Sequence, residues 1–406
     1  MINSGDTAFI LVSAALVLLM TPGLALFYGG MVRSKNVLGT IMQSFFMISL
    51  ISLEWIYLGY TMSFGPDVGG VIGDLSLFAL AGVGAAPSPT YAPTIPHIVF
   101  MIYQCMFAVI TPALITGAFA ERVRFGPFIL FSVLWAVLVY NPVCHWIWGG
   151  GWLGKLGVLD FAGGLVVHLT CGAGALAAIS VIGPRKGFGS RPFIPHNLPM
   201  TLLGTGLLWF GWFGFNGGSA LAADGIAGTA FVSTHIAGMT GMATWIAVEW
   251  ARTGKPTTLG AASGAIAGLA TITPAAGFVG PNAAVCIGFL GGLLCYFGVL
   301  AKSRFGYDDS LDVVGIHGLG GVLGTLALGL FASTAVNPNG ADGLFHGNAA
   351  FFATQALGVF VVGMYTFGVS WVLLKAINSA FPLRMAARAE EEGMDTSEHN
   401  ESAYQN

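Results

Sequence analysis

Residues 160–168 read DFAGGLVVH and residues 309–317 read DSLDVVGIH. In both, an aspartate (Asp160, Asp309) stands eight positions before a histidine (His168, His317), and a glycine (Gly172, Gly321) follows each histidine by four. Both segments open apolar stretches, the fifth and the tenth in the chain. A second pair recurs at the same offset: Phe27–Gly30 (FYGG) closes the first apolar stretch and Phe215–Gly218 (FNGG) closes the sixth. An offset of five spans is odd, so the second half of the chain is expected to be inverted relative to the first. Inverted repeats of this kind place a substrate site near the bilayer midplane, between the halves.

Working outward from these segments, eleven stretches are long enough to cross a hydrocarbon core of about 30 Å as helices. They are 7–31, 38–63, 95–120, 126–147, 161–182, 197–219, 227–250, 258–274, 281–300, 312–332 and 349–376. Composition agrees: only 8% of the 406 residues are charged, against roughly 25% for a soluble domain, while 55% are hydrophobic and 60 are glycine. Mean hydropathy is +0.79. A soluble fold could not cover its surface with so few charges. The dyad alternation of a transmembrane barrel is missing from runs such as Phe128–Val139, so the expected class is an all-α polytopic membrane protein. It comprises two inverted five-helix repeats (about 1–182 and 197–332) and a long eleventh helix (349–376) in a membrane domain of residues 1–380. A polar tail, 381–406, follows. The connections are short except 64–94 and 333–348.

Charge placement sets the expected orientation. Fourteen of the fifteen basic residues, from Arg33 and Lys35 to Arg384 and Arg388, follow odd-numbered stretches; Lys155 alone does not. The positive-inside rule then puts the N-terminus outside and the C-terminus in the cytoplasm. No cationic segment precedes the first stretch, which reads as a resident helix rather than a leader. A net charge of −3 with scattered basic residues gives no footprint for nucleic acid. Cys105, Cys144, Cys171, Cys286 and Cys295 all fall in apolar runs, are odd in number and form no C-x-x-C pair. They read as small buried apolar residues, with no disulfide framework and no metal site expected. Gly260-x-x-x-Gly264-x-x-x-Gly268 and Gly320-x-x-x-Gly324 let helices approach closely in lipid. The glycines after His317 follow no strand and make no nucleotide loop.

Depth makes the histidines a pair. Eight residues at 1.5 Å each put His168 about 12 Å below the outer face and His317 about 12 Å above the inner one, about 6 Å apart in level. Ionisable groups at that depth are costly and tend to be functional, although a lone one, as His235 in the seventh stretch reads, can simply bridge helices. A second constellation lies at the outer mouth. Trp148 and Ser219 end outward-running helices, Asp160 can cap the fifth helix, and Trp212, Phe215 and Ser219 share one helical face. Phe107 and Gln104 share a face of the third helix. Such a mouth suits a small cation attracted to ring faces; an ordinary interfacial aromatic belt is the other reading of the same spacing.

Several segments together resemble the ammonium transporter family (Amt, related to Mep and Rh proteins) along essentially the whole chain. They are Phe27–Asn36 (FYGGMVRSKN), Gly117–Phe125 (GAFAERVRF), Trp148–Gly151 (WGGG), Asp160–His168, His196–Pro199 (HNLP), Gly211–Ser219 (GWFGFNGGS) and Asp308–Gly318 (DDSLDVVGIHG). The resemblance implies an external recruitment site of Trp148, Phe107 and Ser219 supported by Asp160, a gate of Phe107 and Phe215, a pore-lining Trp212, and twin histidines His168 and His317. It further implies a homotrimer with one pore per subunit in the cell (inner) membrane, serving nitrogen uptake, with no enzymatic activity and no cofactor. Glu54 and His235 fall outside the family pattern.

The implied chemistry must separate ammonium from potassium, a cation of similar size. Recruitment, loss of a proton and passage of neutral ammonia through an apolar pore would do so, because a bare ion loses its hydration there. A separate proton relay through the histidines would make transport electrogenic; the residues do not choose. Three rivals fare worse. Asn141-Pro-Val and Asn337-Pro-Asn do not match the paired N-P-A half-helices of a water channel. A haem held by His168 and His317 would need room for a porphyrin. A pure sensor would be expected to carry a larger cytoplasmic domain than the short tail 381–406. By composition that tail is a solvated end. By resemblance, Glu392–Asp395 and Ser402–Gln405 dock beneath a neighbouring subunit, where a PII signalling protein binds.

Overall fold

The computed structural model describes residues 1–404. Helices dominate: α1 (Ser4–Met31), α2 (Ser34–Phe64), α3 (His97–Phe119), α4 (Phe125–Lys155), α5 (Gly164–Ile182), α6 (Leu198–Ala220) and α7 (Gly225–Thr253). Then follow α8 (Thr258–Ile272), α9 (Pro281–Phe305), α10 (Val314–Phe331) and α11 (Ala349–Ala380). Among the described residues ten of these are long and apolar enough to cross a membrane, one fewer than the sequence count. The exception is α8, whose 15 residues span about 22 Å. It is buried almost throughout, so its length answers to its neighbours rather than to lipid.

Side-chain caps start many of the helices. Asn3, Asn197, Asp224, Thr257 and Asn348 accept from backbone N–H groups in the first turns of α1, α6, α7, α8 and α11. Gly254 (φ 80°) and Gly306 (φ 72°) end α7 and α9 in the left-handed conformation that glycine adopts freely.

Among the described residues four helices contain a π-helical turn, which the sequence pattern did not indicate: Trp55–Gly59 in α2, Ala136–Tyr140 in α4, Gly164–Leu169 opening α5 and Val314–Gly318 opening α10. The last two each contain a histidine, His168 and His317. Widened turns of this sort concentrate at functional sites. Both openings are capped by the aspartate eight residues before the histidine. Asp160 accepts from four backbone N–H groups at 2.7–3.0 Å, and Asp309 from Val313 at 3.1 Å and Val314 at 2.7 Å.

The two histidine helices meet backbone to backbone. A Cβ on Gly172 would lie 2.1 Å from the Gly318 Cα, and one on Gly321 would lie 2.5 Å from the Gly164 carbonyl oxygen. The glycines four positions past each histidine are therefore the crossing points. No side chain fits between them.

The long connection 64–94 carries two small antiparallel hairpins, β1 (Asp67–Val68) with β2 (Ile72–Gly73) and β3 (Pro87–Ser88) with β4 (Ala92–Pro96). After α11 the chain turns beneath the bundle and forms α12 (Ala387–Glu392) and α13 (Met394–His399). This tail is packed, not a solvated end. Glu390 accepts from Lys186 N and Arg384, Asp395 from Gly39 N at 2.9 Å, and Glu398 from Phe125 N at 2.9 Å. Met394 N donates to Asn36 at 2.8 Å, and the Met394 side chain is wholly buried. Of the Ser402–Gln405 segment, Gln405 lies outside the described residues.

Candidate functional site

A cavity of about 400 Å³ opens at the end of the bundle where α4 and α6 terminate. Trp148, Phe107, Ser219 and Asp160 all line it, together with Gln104 and Tyr91. Trp148 sits just past the last turn of α4's core, and its Nε1–H donates to the Asp160 carbonyl at 2.7 Å, which fixes the indole plane. The Phe107 ring meets that indole edge-on, 5.9 Å between centroids at 84°. Asp160 is 6% exposed, and both carboxylate oxygens are occupied by the α5 N–H groups. Its carboxylate is thus committed to the helix start, while its backbone oxygen orients the tryptophan.

Ser219 donates its hydroxyl proton to the Phe215 carbonyl at 2.8 Å. With that proton spent, the oxygen faces the cavity as an acceptor, the role a donor-only cation requires. Behind it stands Tyr103, fully buried, its hydroxyl 3.2 Å from Ser219 Oγ and 2.9 Å from the Gly214 and Phe215 carbonyls. Sequence reading passed over Tyr103. Its place one turn before Phe107 on α3 was the available signal.

Phe107 lines the inner side of the cavity and packs on Phe215, which lines the narrower space beyond, with ring centroids 4.3 Å apart and planes at 40°, tilted rather than parallel. Beyond them His168 lies face to face with Trp212 (5.6 Å, 27°), Phe215 (6.3 Å, 22°) and His317 (5.2 Å, 24°). Trp212 is held by its Nε1–H donating to Thr273 at 3.0 Å. The two histidine Nδ1 atoms are 3.3 Å apart, so one ring N–H can donate to the other ring. Around them is a narrow cavity of about 10 Å³, room for one water-sized molecule, walled by Met20, Leu24, Phe27 and Leu114 among others. The residues expected at one depth thus stand in direct contact. No porphyrin fits between rings 5.2 Å apart. Cys171, one turn below His168, brings its sulfur into the same cluster. Of the five cysteines, four are buried as expected and Cys286 is exposed on α9.

Glu54 and His235 take no part in either cavity. Glu54 accepts from Asn141 Nδ2 at 2.8 Å between α2 and α4, and His235 packs on Trp209 at 5.6 Å.

At the opposite end of the bundle a buried ion network ties the connections together. Arg185 grips Asp308 through Nη2 (2.8 Å) and Nε (2.9 Å) and reaches Glu121 at 3.0 Å, while Arg33 pairs with Glu121 at 3.0 Å. Burial pushes both carboxyls up. The Arg33 hydrogen bond at Glu121 and the Arg185 hydrogen bond at Asp308, reinforced by the surrounding guanidinium charges, outweigh it and hold both below the ordinary carboxylate range. Glu121 adopts φ 74°, a strained value for a side-chain-bearing residue, fastened by donors from Arg33, Asn36 and Arg185. This explains the GAFAERVRF segment: its acid, Glu121, anchors the network, and its first arginine, Arg122, fully buried, donates to the Asp308 carbonyl at 2.7 Å.

A bundle of long apolar helices enclosing an aromatic mouth and a narrow histidine-lined passage defines a multi-pass membrane protein built around a path. The sequence profile of the Ammonium Transporter Family matches residues 8–404, and the chain belongs to that family. It is 54% identical over 403 residues to an ammonium transporter of Bacillus subtilis (strain 168), covering 99% of this chain and 98% of that one. It is 46% identical over 402 residues to ammonium transporter Amt1 of Archaeoglobus fulgidus, covering 99% and 100%. Among solved structures, Candida albicans Mep2 superposes with a TM-score of 0.90 at 37% identity (95% of this chain, 87% of that one). A sensor Amt protein superposes with 0.89 at 30% (97% and 98%).

Proposed function

We propose that this ammonium transporter recruits ammonium at Trp148, Phe107 and Ser219, removes a proton at the Phe107–Phe215 gate, and passes ammonia along His168 and His317. The observation that carries the reading is the abrupt narrowing from a 400 Å³ polar-rimmed cavity to one of about 10 Å³ directly behind two touching phenylalanine rings. A hydrated cation fits the first and not the second. Stripping its water there costs several kcal/mol unless charge is shed. Ammonium can shed it and potassium cannot. In the passage the paired imidazoles offer one donor and one acceptor to a molecule that has lost its water, and they supply a chain along which the proton can travel separately.

The same reading makes the molecule a homotrimer in the cell (inner) membrane, with the N-terminus outside and the C-terminus cytoplasmic. The cytoplasmic face around Arg185–Arg191 and the tail is the surface for a PII signalling protein.

The test is purified protein in liposomes on a solid-supported membrane. An ammonium jump is expected to give a saturable current, methylammonium a smaller one and potassium none. Equal currents for potassium and ammonium would overturn the filter.

A further inference from the structure

One nitrogen of His168, one of His317 and the Cys171 sulfur all lie within 4.8 Å of one another, and none of the three residues is more than 4% exposed. The cysteine is not alone: a second observation is that His168 Nε2 is buried with no hydrogen-bond partner, while its Nδ1 faces His317 at 3.3 Å. The cluster's donors are engaged only with one another and with one backbone oxygen, the Cys171 S–H donating to the His168 carbonyl at 3.2 Å, and the partnerless His168 Nε2 leaves that ring free to change tautomer. Metal bonds of about 2.0–2.3 Å set the ligands of a trigonal or tetrahedral shell about 3.3–4.0 Å apart. The Nδ1–Nδ1 spacing of 3.3 Å already matches the short edge of such a shell.

Charge decides which metal. The cavity that His168 and His317 line is walled by Met20, Leu24, Phe27 and other apolar side chains, and Cys171 is wholly buried behind it, so a net charge left there is heavily penalised. Two neutral imidazoles and one thiolate neutralise a monovalent ion, whereas a divalent ion would leave one uncompensated positive charge. A thiolate and two imidazoles are also the soft donors that a coinage-metal ion prefers. We propose that His168, Cys171 and His317 form a binding site for a soft monovalent metal ion, Cu(I) or Ag(I), that plugs the pore. Binding exchanges one proton for one cation: the S–H bond of Cys171 breaks, a metal–sulfur bond forms and that proton leaves to bulk water, while the imidazole that carried its proton on Nδ1 carries it on Nε2 instead, so that both Nδ1 lone pairs bind the metal and no electron is transferred.

The binding half of this proposal stands without the transport mechanism; the plugging half rests on it. Silver ion is the probe, in chloride-free buffer, with the exposed Cys286 replaced (Cys286→Ala) in every sample so that it does not compete. Calorimetry on the solubilised protein is expected to give one tight Ag⁺ per chain, weakened about tenfold or more by Cys171→Ala, with no comparable binding of Zn²⁺. In liposomes Ag⁺ is expected to stop methylammonium uptake, and the Cys171→Ala protein to keep its uptake at the same Ag⁺ concentration. Cys171→Ser, sized by gel filtration, serves if the alanine variant does not fold. Unchanged Ag⁺ affinity in the cysteine variants, or Zn²⁺ binding as tight as Ag⁺, would overturn the site. Tight Cys171-dependent binding with uptake untouched would overturn the plug and count against the pore assignment, leaving the site standing.

Discussion

Single atoms decide much of the proposed chemistry. Replacing both histidines (His168→Ala with His317→Ala) removes the paired imidazoles from the passage. The expected result is loss of ammonium-over-potassium selectivity in liposome currents from a protein that still assembles; full selectivity in the double variant would refute the role. Ser219→Ala deletes one acceptor facing the cation, and hydrogen bonds to charged groups are worth about 1.5–3 kcal/mol, so apparent affinity should fall about tenfold or more. Trp148→Leu should act in the same direction, both with the pore still open, as read from uptake against concentration. Asp160→Ala differs, because it strands four buried N–H groups at the head of α5 and should lower stability as well as flux. Residues whose type is rare in their surroundings were the legible ones: histidines and an aspartate in apolar runs, and a serine closing an aromatic face. Tyr103 and Cys171 were not. A tyrosine or cysteine in an apolar helix draws no notice until the fold brings its polar atom to a partner.

At the level of elements, α5 and α10 cross without an intervening side chain, and Gly172 sits at the contact. Gly172→Ala would push a methyl group to 2.1 Å from Gly318, and overpacking of that kind costs about 1–3 kcal/mol. The expected outcome is a lower melting midpoint together with weakened selectivity, because the same crossing spaces the two imidazoles. Gly393, between α12 and α13, has φ 111° and would place a Cβ 2.4 Å from the Lys35 carbonyl oxygen. Gly393→Ala should free α13, seen as faster proteolytic removal of the tail with the bundle intact. Ten of the eleven expected spans could be read from hydropathy because lipid demands long apolar runs. The α8 helix escaped that rule by being enclosed in protein, and the π turns escaped because they follow from local hydrogen-bond register rather than residue type. The tail misled because its charges, which look solvated in sequence, are matched by backbone N–H groups of the connections it covers.

For the whole molecule, the buried network of Arg33, Glu121, Arg185 and Asp308 fastens the connections after α1, α3, α5 and α9 into one plate. Carboxyls held below their unfolded values add stability that is fully present above about pH 4–5, the unfolded range, and is lost as pH falls through the depressed values. The melting midpoint of the solubilised protein should therefore be steady above about pH 5 and drop below about pH 4. A midpoint unchanged down to about pH 3 would show that the network adds nothing. The outer cavity has a consequence of its own for supply. One cation held in 400 Å³ amounts to a local concentration of about 4 M. On the proposed reading the gate meets the same crowding in every occupied chamber, so a richer medium raises throughput only by refilling the chamber more often, until refilling outpaces passage.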